Sequence, residues 1–133
     1  MPTDNHNLGS NQESPYKGKQ GLRRVWNALG YSIQGFSGAY HHESSFRQEV
    51  WLAFIMLPLS FWLHASGVGH ALLAGSLLLV LLVELLNSAI EATVDRISLE
   101  DHHLAKRAKD IGSAAVLISL VHVGLVWLLV LYF

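Results

Sequence analysis

The feature that most limits how this chain can fold is the run VGHALLAGSLLLVLLV, residues 68–83, which contains no Asp, Glu, Lys or Arg. Two further apolar stretches, residues 50–65 and 111–133, lie before and after it. At about 1.5 Å of rise per helical residue, each stretch can cross most or all of a hydrocarbon core about 30 Å thick. Because 51% of the 133 residues are hydrophobic and only 14% are charged, we predict a small membrane protein.

The spacing of the apolar residues predicts the fold class. We predict an all-α integral membrane protein with three transmembrane helices, at about 48–66, 68–97 and 110–133. We also predict an amphipathic helix before them, at about 20–46. In that segment apolar side chains recur at steps of three and four, at Leu22, Val25, Trp26, Leu29, Ile33, Phe36 and Tyr40. A helix of this kind lies on the membrane surface, with its arginines near anionic headgroups.

The N-terminal segment MPTDNHNLGSNQESPYKG has a different composition. Residues 1–18 are rich in Asn, Ser, Pro and Gly and show no apolar period. We therefore predict a disordered polar tail at 1–18, followed by one membrane domain at 19–133. The first residues also lack the apolar segment of a cleavable signal peptide.

Basic residues are distributed unevenly between the predicted loops. The link SGVGH carries no Lys or Arg, whereas RISLEDHHLAKRAKD carries Arg96, Lys106, Arg107 and Lys109. Because cytoplasmic loops are enriched in Lys and Arg, we predict a cytoplasmic N-terminus and a periplasmic C-terminus. The net charge of −1 gives no indication of a nucleic-acid partner.

A polar stripe interrupts the apolar pattern at the end of the second predicted span. Glu84, Asn87, Ser88, Glu91 and Asp95 fall within an arc of roughly 100° on a helix. Glu84 lies roughly 16 Å deeper along the helix axis than Asp95, so exposure at the interface explains it poorly. Ionisable groups at membrane depth normally face a protein interior and mark a function. For Asp95, a place at the cytoplasmic interface is an equally good explanation.

A second acidic cluster, HHESSFRQEV at residues 41–50, precedes the first predicted span. Glu43 and Glu91 would both lie near the cytoplasmic surface, and Mg²⁺ is often held by two carboxylates together with phosphate oxygens. The alternative is two solvated acids. Lys109 and Asp110 stand just before the third span, where a cation can meet a phosphate group. The sequence has no Walker A motif, and its adjacent histidines do not have the spacing of zinc ligands.

The segments ELLNSAIEATVDRI, AKRAKDIGSAAVLI and ESSFRQE together resemble the prokaryotic diacylglycerol kinase family. The resemblance covers residues 21–133 and is most specific in the second predicted span. It implies a small trimeric enzyme of the bacterial inner membrane, with sites shared between adjacent subunits. Such an enzyme phosphorylates diacylglycerol to phosphatidic acid at the cytoplasmic membrane surface, using ATP and Mg²⁺. Small residues at 112–115 permit close helix approach and agree with a homo-oligomer.

The resemblance also implies roles for individual residues. Glu84 corresponds to the catalytic base, and Asn87 to the residue that orients it. Glu43 and Glu91 match the carboxylates that hold Mg²⁺ on the ATP phosphates. The implied further contacts to ATP are Arg24, Tyr31, Glu100, His102, Lys109 and Asp110. The implied lipid-binding residues are Arg24, Glu49, Glu84, Ser113 and Trp127.

Two other interpretations of the sequence remain. Some relatives of the same fold phosphorylate undecaprenol, and the lipid pocket cannot be deduced from the sequence. A small oligomeric ion or proton transporter would instead use Glu84, Glu91 and Asp95 to line a path. Against the transporter, the apolar half of the second span offers only His70 and Ser76 as polar groups.

Overall fold

The computed structural model describes residues 17–97 and 102–133, and these form four α-helices. The helices are α1 (Lys17–His42), α2 (Ser44–Trp62), α3 (Gly67–Ile97) and α4 (His103–Tyr132). No strand occurs in these two ranges, which confirms the predicted all-α class. The first sixteen positions of the predicted tail lie outside the described residues, and its last two already belong to α1.

The chain divides into two compact units, the first ending at Gly35 and the second running from Phe36 to Phe133. In the first unit, α1 carries its apolar side chains at the predicted helical spacing, and Leu22, Val25 and Trp26 are exposed. The second unit contains the last turns of α1 together with α2, α3 and α4. Its central helix is α3, which packs against both α2 and α4.

Helices α3 and α4 are long and apolar enough to cross a membrane. Only 6% of the most apolar segment of α4 is buried within the protein, so α4 is not the core helix of a soluble domain. Its outward side chains, such as Leu117, Ile118 and Val121, need lipid or another chain to cover them. Helix α2 has 19 residues, and among the described helices it is not one of those that are long and apolar enough to cross a membrane. Two spans are therefore supported, and the third stays a prediction.

Helices α3 and α4 run antiparallel along their whole length. Near one end, a Cβ atom placed on Gly69 would lie 3.1 Å from Cγ1 of Val130. Near the other end, Lys109 of α4 forms an ion pair with Asp95 of α3. Both positions are close to the ends of their helices, so the two helices form a hairpin whose polar end lies at Asp95 and Lys109.

The break between α1 and α2 consists of one residue, Glu43. Its backbone is extended, with φ −113° and ψ 111°. The side chain of Arg47 reaches back from the first turn of α2, and its Nη1 donates to the carbonyl oxygens of Tyr40 at 2.8 Å and His41 at 3.0 Å. A cation at this position satisfies the last carbonyls of α1. The predicted boundary, at 46–48, was therefore several residues too late.

The other helix ends also have local causes. The predicted second span, 68–97, agrees closely with α3, in whose first turn Gly69 N donates a hydrogen bond to Oγ of the preceding Ser66 at 3.0 Å. Helix α2 ends at Trp62, before the predicted 66, because the backbone of Leu63 is extended. Helix α4 begins well before 110, because the His102 side chain caps it by accepting from Leu104 N at 3.2 Å.

Candidate active site

A cavity of about 370 Å³ lies among α2, α3 and α4, on the side where the polar stripe is found. Four of its lining residues are carboxylates and four more carry an amide or a hydroxyl group. The residues that line it are Glu43, Ser45, Gln48, Glu49, Glu84, Asn87, Glu91, Ser113, Val116 and Leu120. The cavity is therefore a strongly acidic site built against apolar helices.

Helix α3 supplies the centre of the cavity with Glu84, Asn87 and Glu91. Steps of three and four residues place all three on one face of the helix. Glu84 is 4% exposed and Asn87 is 8% exposed, so this part of the stripe faces the protein and not lipid. The Nδ2 atom of Asn87 donates to Oε1 of Glu91 at 3.4 Å. The amide thereby contacts the carboxylate that lies nearer the helix end.

Helix α2 and the break before it supply the opposite wall. Glu43 is half-buried at the break and lines the cavity. Ser45, Gln48 and Glu49 follow on the first turns of α2. No role was predicted for Ser45 or Gln48, although Ser45 lies four residues before Glu49 and therefore on the same face of the helix. The spacing of Ser45 from Glu49, and of Gln48 from Ser45, was the signal that could have identified them.

Several polar atoms in the cavity are buried but unpaired. Oε2 of Glu49, Oε2 of Glu84 and Oδ1 of Asn87 have no hydrogen-bond partner within the described part of the chain. An unpaired buried polar atom costs about 1–3 kcal/mol, and more when the group is charged. Such atoms need an explanation, and a ligand that supplies donors or a cation would satisfy them.

The polar end of the α3–α4 hairpin carries two ion pairs. Lys109 Nζ lies 2.5 Å from Asp95 Oδ1, and Lys106 Nζ lies 2.7 Å from Asp110 Oδ2. Lys109 precedes the apolar part of α4, and its hydrogen bond to the Asp95 carboxylate raises the pKa of Lys109 above its ordinary value. Lys109 therefore stays charged at neutral pH.

The donor set fits a divalent ion that arrives with a phosphate ligand. Within the described ranges, no group of three or more His, Cys, Asp or Glu side chains could hold a metal ion by itself. Glu43 and Glu91 nevertheless line the same cavity from two different segments. Mg²⁺ commonly takes only one or two carboxylates and completes its shell with phosphate oxygens and water. Two carboxylates beside an open cavity match this coordination preference.

The remaining predicted site residues lie in several places. Ser113 lines the cavity with Glu49 and Glu84, whereas Trp127 lies roughly 21 Å further along α4, where its Nε1 atom is buried without a partner among the described residues. His102 is the N-cap of α4. Arg24 and Tyr31 belong to the first unit, and Glu100 lies outside the described residues.

Comparison with known proteins gives the same family along most of the chain. Residues 30–131 match the family model described as prokaryotic diacylglycerol kinase. A diacylglycerol kinase of Pseudomonas aeruginosa is 51% identical over 118 residues, which cover 89% of this chain and 96% of the relative. The diacylglycerol kinase of Haemophilus influenzae is 48% identical over 113 residues, covering 85% of this chain and 96% of the relative.

A third relative, the diacylglycerol kinase of Escherichia coli K12, is 44% identical over 112 residues, covering 84% of this chain and 92% of the relative. The matched part includes every residue that lines the acidic cavity, from Glu43 to Leu120. The resemblance found in the three sequence segments is thus confirmed, and the chain belongs to the prokaryotic diacylglycerol kinase family.

Proposed function

We propose that this protein transfers the γ-phosphoryl group of ATP to the hydroxyl group of diacylglycerol and releases phosphatidic acid and ADP. The observation that carries the proposal is the acidic cavity, whose buried carboxylates lie beside helices that are apolar enough to cross a membrane. A lipid alcohol and a nucleotide can meet only where apolar and polar surroundings join. Membership of the family supports the same reaction.

Glu84 acts as the general base in this proposal. Its carboxylate is buried in the cavity, and Oε2 has no partner among the described residues, so it is available to accept the hydroxyl proton. As the proton moves to Glu84, the lipid oxygen forms a bond to the γ-phosphorus and the bond from that phosphorus to the bridging oxygen of ADP breaks. Asn87 stands one turn away and holds the arrangement by its hydrogen bond to Glu91.

Glu43 and Glu91 would hold Mg²⁺ on the ATP phosphates. When bound, the ion neutralises charge that develops on the phosphate oxygens. The two carboxylates come from the α1–α2 break and from α3, so they approach the ligand from two sides. We place Lys109, Asp110, Arg24, Tyr31, Glu100 and His102 at the nucleotide, as the family resemblance implies.

The lipid would approach from the membrane side of the same cavity. Glu49 and Ser113 line it with Glu84, and a free carboxylate oxygen on Glu49 can accept a hydrogen bond from a glycerol hydroxyl. Val116 and Leu120 continue the lining along α4, which suits the first carbons of an acyl chain. Trp127 and Arg24 belong to the lipid-binding wall by resemblance.

We further propose three spans, a homotrimer with sites shared between subunits, and a place in the bacterial inner membrane. The exposed apolar side chains of α4 support burial against lipid or neighbouring subunits. A reporter fused after Phe133 should be active in the periplasm, and one inserted after His103 should be active in the cytoplasm. Two reporters active on the same side would contradict the three-span topology.

The reaction is tested with purified protein in mixed micelles that contain MgATP and either diacylglycerol or undecaprenol. We expect phosphatidic acid from diacylglycerol at a kcat/KM well above that for undecaprenol. A preference for undecaprenol would mean that undecaprenol, and not diacylglycerol, is the lipid substrate of this protein. ATP hydrolysis or proton flux without a phosphorylated lipid would overturn the proposal.

A further inference from the structure

Gly112 of α4 touches the site residue Asn87 of α3. A Cβ atom placed on Gly112 would overlap Oδ1 of Asn87 and lie 3.3 Å from its Cγ. Gly112 is buried and Asn87 is 8% exposed, so a side chain added at position 112 would have to displace the Asn87 amide. Position 112 therefore accepts a hydrogen atom and no larger side chain while Asn87 keeps its conformation.

The contact also determines which way the amide of Asn87 faces. A carboxylate only accepts hydrogen bonds, so the Nδ2 atom must be the one that lies towards Glu91, at 3.4 Å from Oε1. Oδ1 then faces Gly112, where it is buried without a partner among the described residues. Because Oδ1 and Nδ2 belong to one planar amide group, we expect a displacement of Oδ1 to change the position of Nδ2 relative to Glu91.

Close approach at glycine is common where membrane helices pack, but here the atom that uses the space belongs to the active site. Glycine within a helix is less favourable than alanine, so its presence in the middle of a turn of α4 has a cost that needs a reason. Gly124 of the same helix has nothing within 4 Å of its Cβ position among the described residues. The two glycines of α4 therefore differ in what they touch.

We propose that Gly112 is a positioning residue for phosphoryl transfer: its missing side chain keeps Asn87 in the conformation that donates to Glu91. The inference rests on the proposed function, in which Asn87 and Glu91 belong to the kinase site. It assigns to Gly112 a role that acts through Asn87 and not through substrate.

The test compares Gly112→Ala with the matched control Gly124→Ala and with Asn87→Ala, in the full-length protein in mixed micelles. Because misplacement of a catalytic group by about 1 Å can reduce the rate on the order of 100-fold, we expect Gly112→Ala to lower kcat by about that factor. Gly124→Ala should keep wild-type kinetics. The double variant Gly112→Ala/Asn87→Ala should be no less active than Asn87→Ala alone, because the residue that Gly112 positions is already gone.

Three results would overturn the inference. The first is a Gly112→Ala enzyme with wild-type kcat and KM. The second is a further loss of activity when Gly112→Ala is added to Asn87→Ala. The third is a double variant that fails to assemble while Asn87→Ala assembles, because this would mean that Gly112 is needed for packing and not for Asn87.

A measurement without turnover separates this inference from the proposed function. The side-chain amide resonance of Asn87, assigned by its loss in Asn87→Ala, should shift in Gly112→Ala and stay in place in Gly124→Ala. An unshifted resonance in Gly112→Ala would contradict the positioning role. A wild-type protein with no lipid kinase activity would instead overturn the proposed function, even if the resonance shifts as expected.

Discussion

The two halves of the α2–α3–α4 layer treat buried polar atoms in different ways. In the apolar half, Ser60 Oγ donates to Leu57 O at 2.6 Å and Ser76 Oγ donates to Leu73 O at 2.8 Å, each within its own helix. In the polar half, Oε2 of Glu84 and Oδ1 of Asn87 are buried with no partner among the described residues. These side chains are similarly buried, but the two serine hydroxyl groups are paired within their own helices and the two site atoms are not. The apolar half has an exception in Nε1 of Trp127, which is also buried without a partner among the described residues.

This difference separates polar groups that serve the structure from those that await a ligand. Within a bilayer, polar groups are satisfied inside the protein, and a serine that bonds its own helix meets that demand at little cost. The unpaired carboxylate oxygen of Glu84 lines the cavity, where a bound ligand could satisfy it. The same contrast argues against the transporter alternative. The hydroxyl groups of Ser60 and Ser76 donate hydrogen bonds within their own helices and do not form a continuous polar path across the membrane.

The largest loss of activity is expected from a substitution at Glu84. Glu84→Gln keeps the size of the side chain but removes proton acceptance, so kcat should fall by roughly 100- to 10,000-fold, the usual range for a general base. MgATP affinity should change little, because the lost interaction belongs to the transition state. The measurement is kcat beside ATP affinity and oligomeric state. Near-normal turnover in a well-assembled variant would remove Glu84 from the mechanism.

A somewhat smaller effect is expected at the two carboxylates assigned to the metal. Glu43→Gln and Glu91→Gln should each lower activity and weaken the apparent affinity for MgATP, while the oligomer still assembles, because each removes one oxygen ligand from the ion. Chelation of divalent ions should abolish the activity of the wild type, and added Mg²⁺ should restore it. A variant with wild-type dependence on MgATP would show that its carboxylate is only solvated.

The ion pair between Lys109 and Asp95 should matter less. Both side chains are substantially exposed, at 41% and 61%, and exposed pairs contribute about 0–1 kcal/mol. If the Lys109 ammonium group also serves ATP, Asp95→Asn should release it and lower the KM for ATP by about fivefold at most. An increase in that KM would mean that Asp95 helps to hold the nucleotide site. The measurement is the KM for ATP at fixed lipid concentration. Lys109→Ala, which removes the ammonium group, should change that KM in the opposite direction.

The smallest effects on activity and stability are expected at two buried serines whose hydroxyl groups are already paired within their helices. Ser76→Ala and Ser119→Ala each remove a hydroxyl group that bonds only to its own helix, at Leu73 O and Val116 O. Activity should be unchanged, and stability should change by about 1 kcal/mol or less. Thermal unfolding and kcat measured beside Asn87→Ala would test this. A large loss of activity in either serine variant would end the distinction between the two halves.

Much of α3 could be predicted from the sequence, because one periodic pattern determines one helix. The bounds of α3 and the common face of Glu84, Asn87 and Glu91 followed from the apolar run and from spacing alone. The depth of Glu84 along that run also indicated burial, and the side chain is 4% exposed.

The parts that escaped prediction depend on contacts between helices. The break at Glu43 depends on Arg47 reaching back to the carbonyls of α1, and no local propensity encodes that contact. Gly112 was recognised as a small residue that allows close packing, but its contact with Asn87 depends on how α4 is set against α3. Periodicity defines the face of each helix and does not define the register between two helices.

The single-residue joint at Glu43 also restricts how chain length can change during evolution. One residue inserted between Ser44 and Gln48 would turn the side chains beyond it by about 100° around the helix axis. Glu49 would then leave the cavity, and an insertion before Arg47 would carry its guanidinium away from the carbonyls of Tyr40 and His41. Gains and losses of residues should therefore fall elsewhere in the chain.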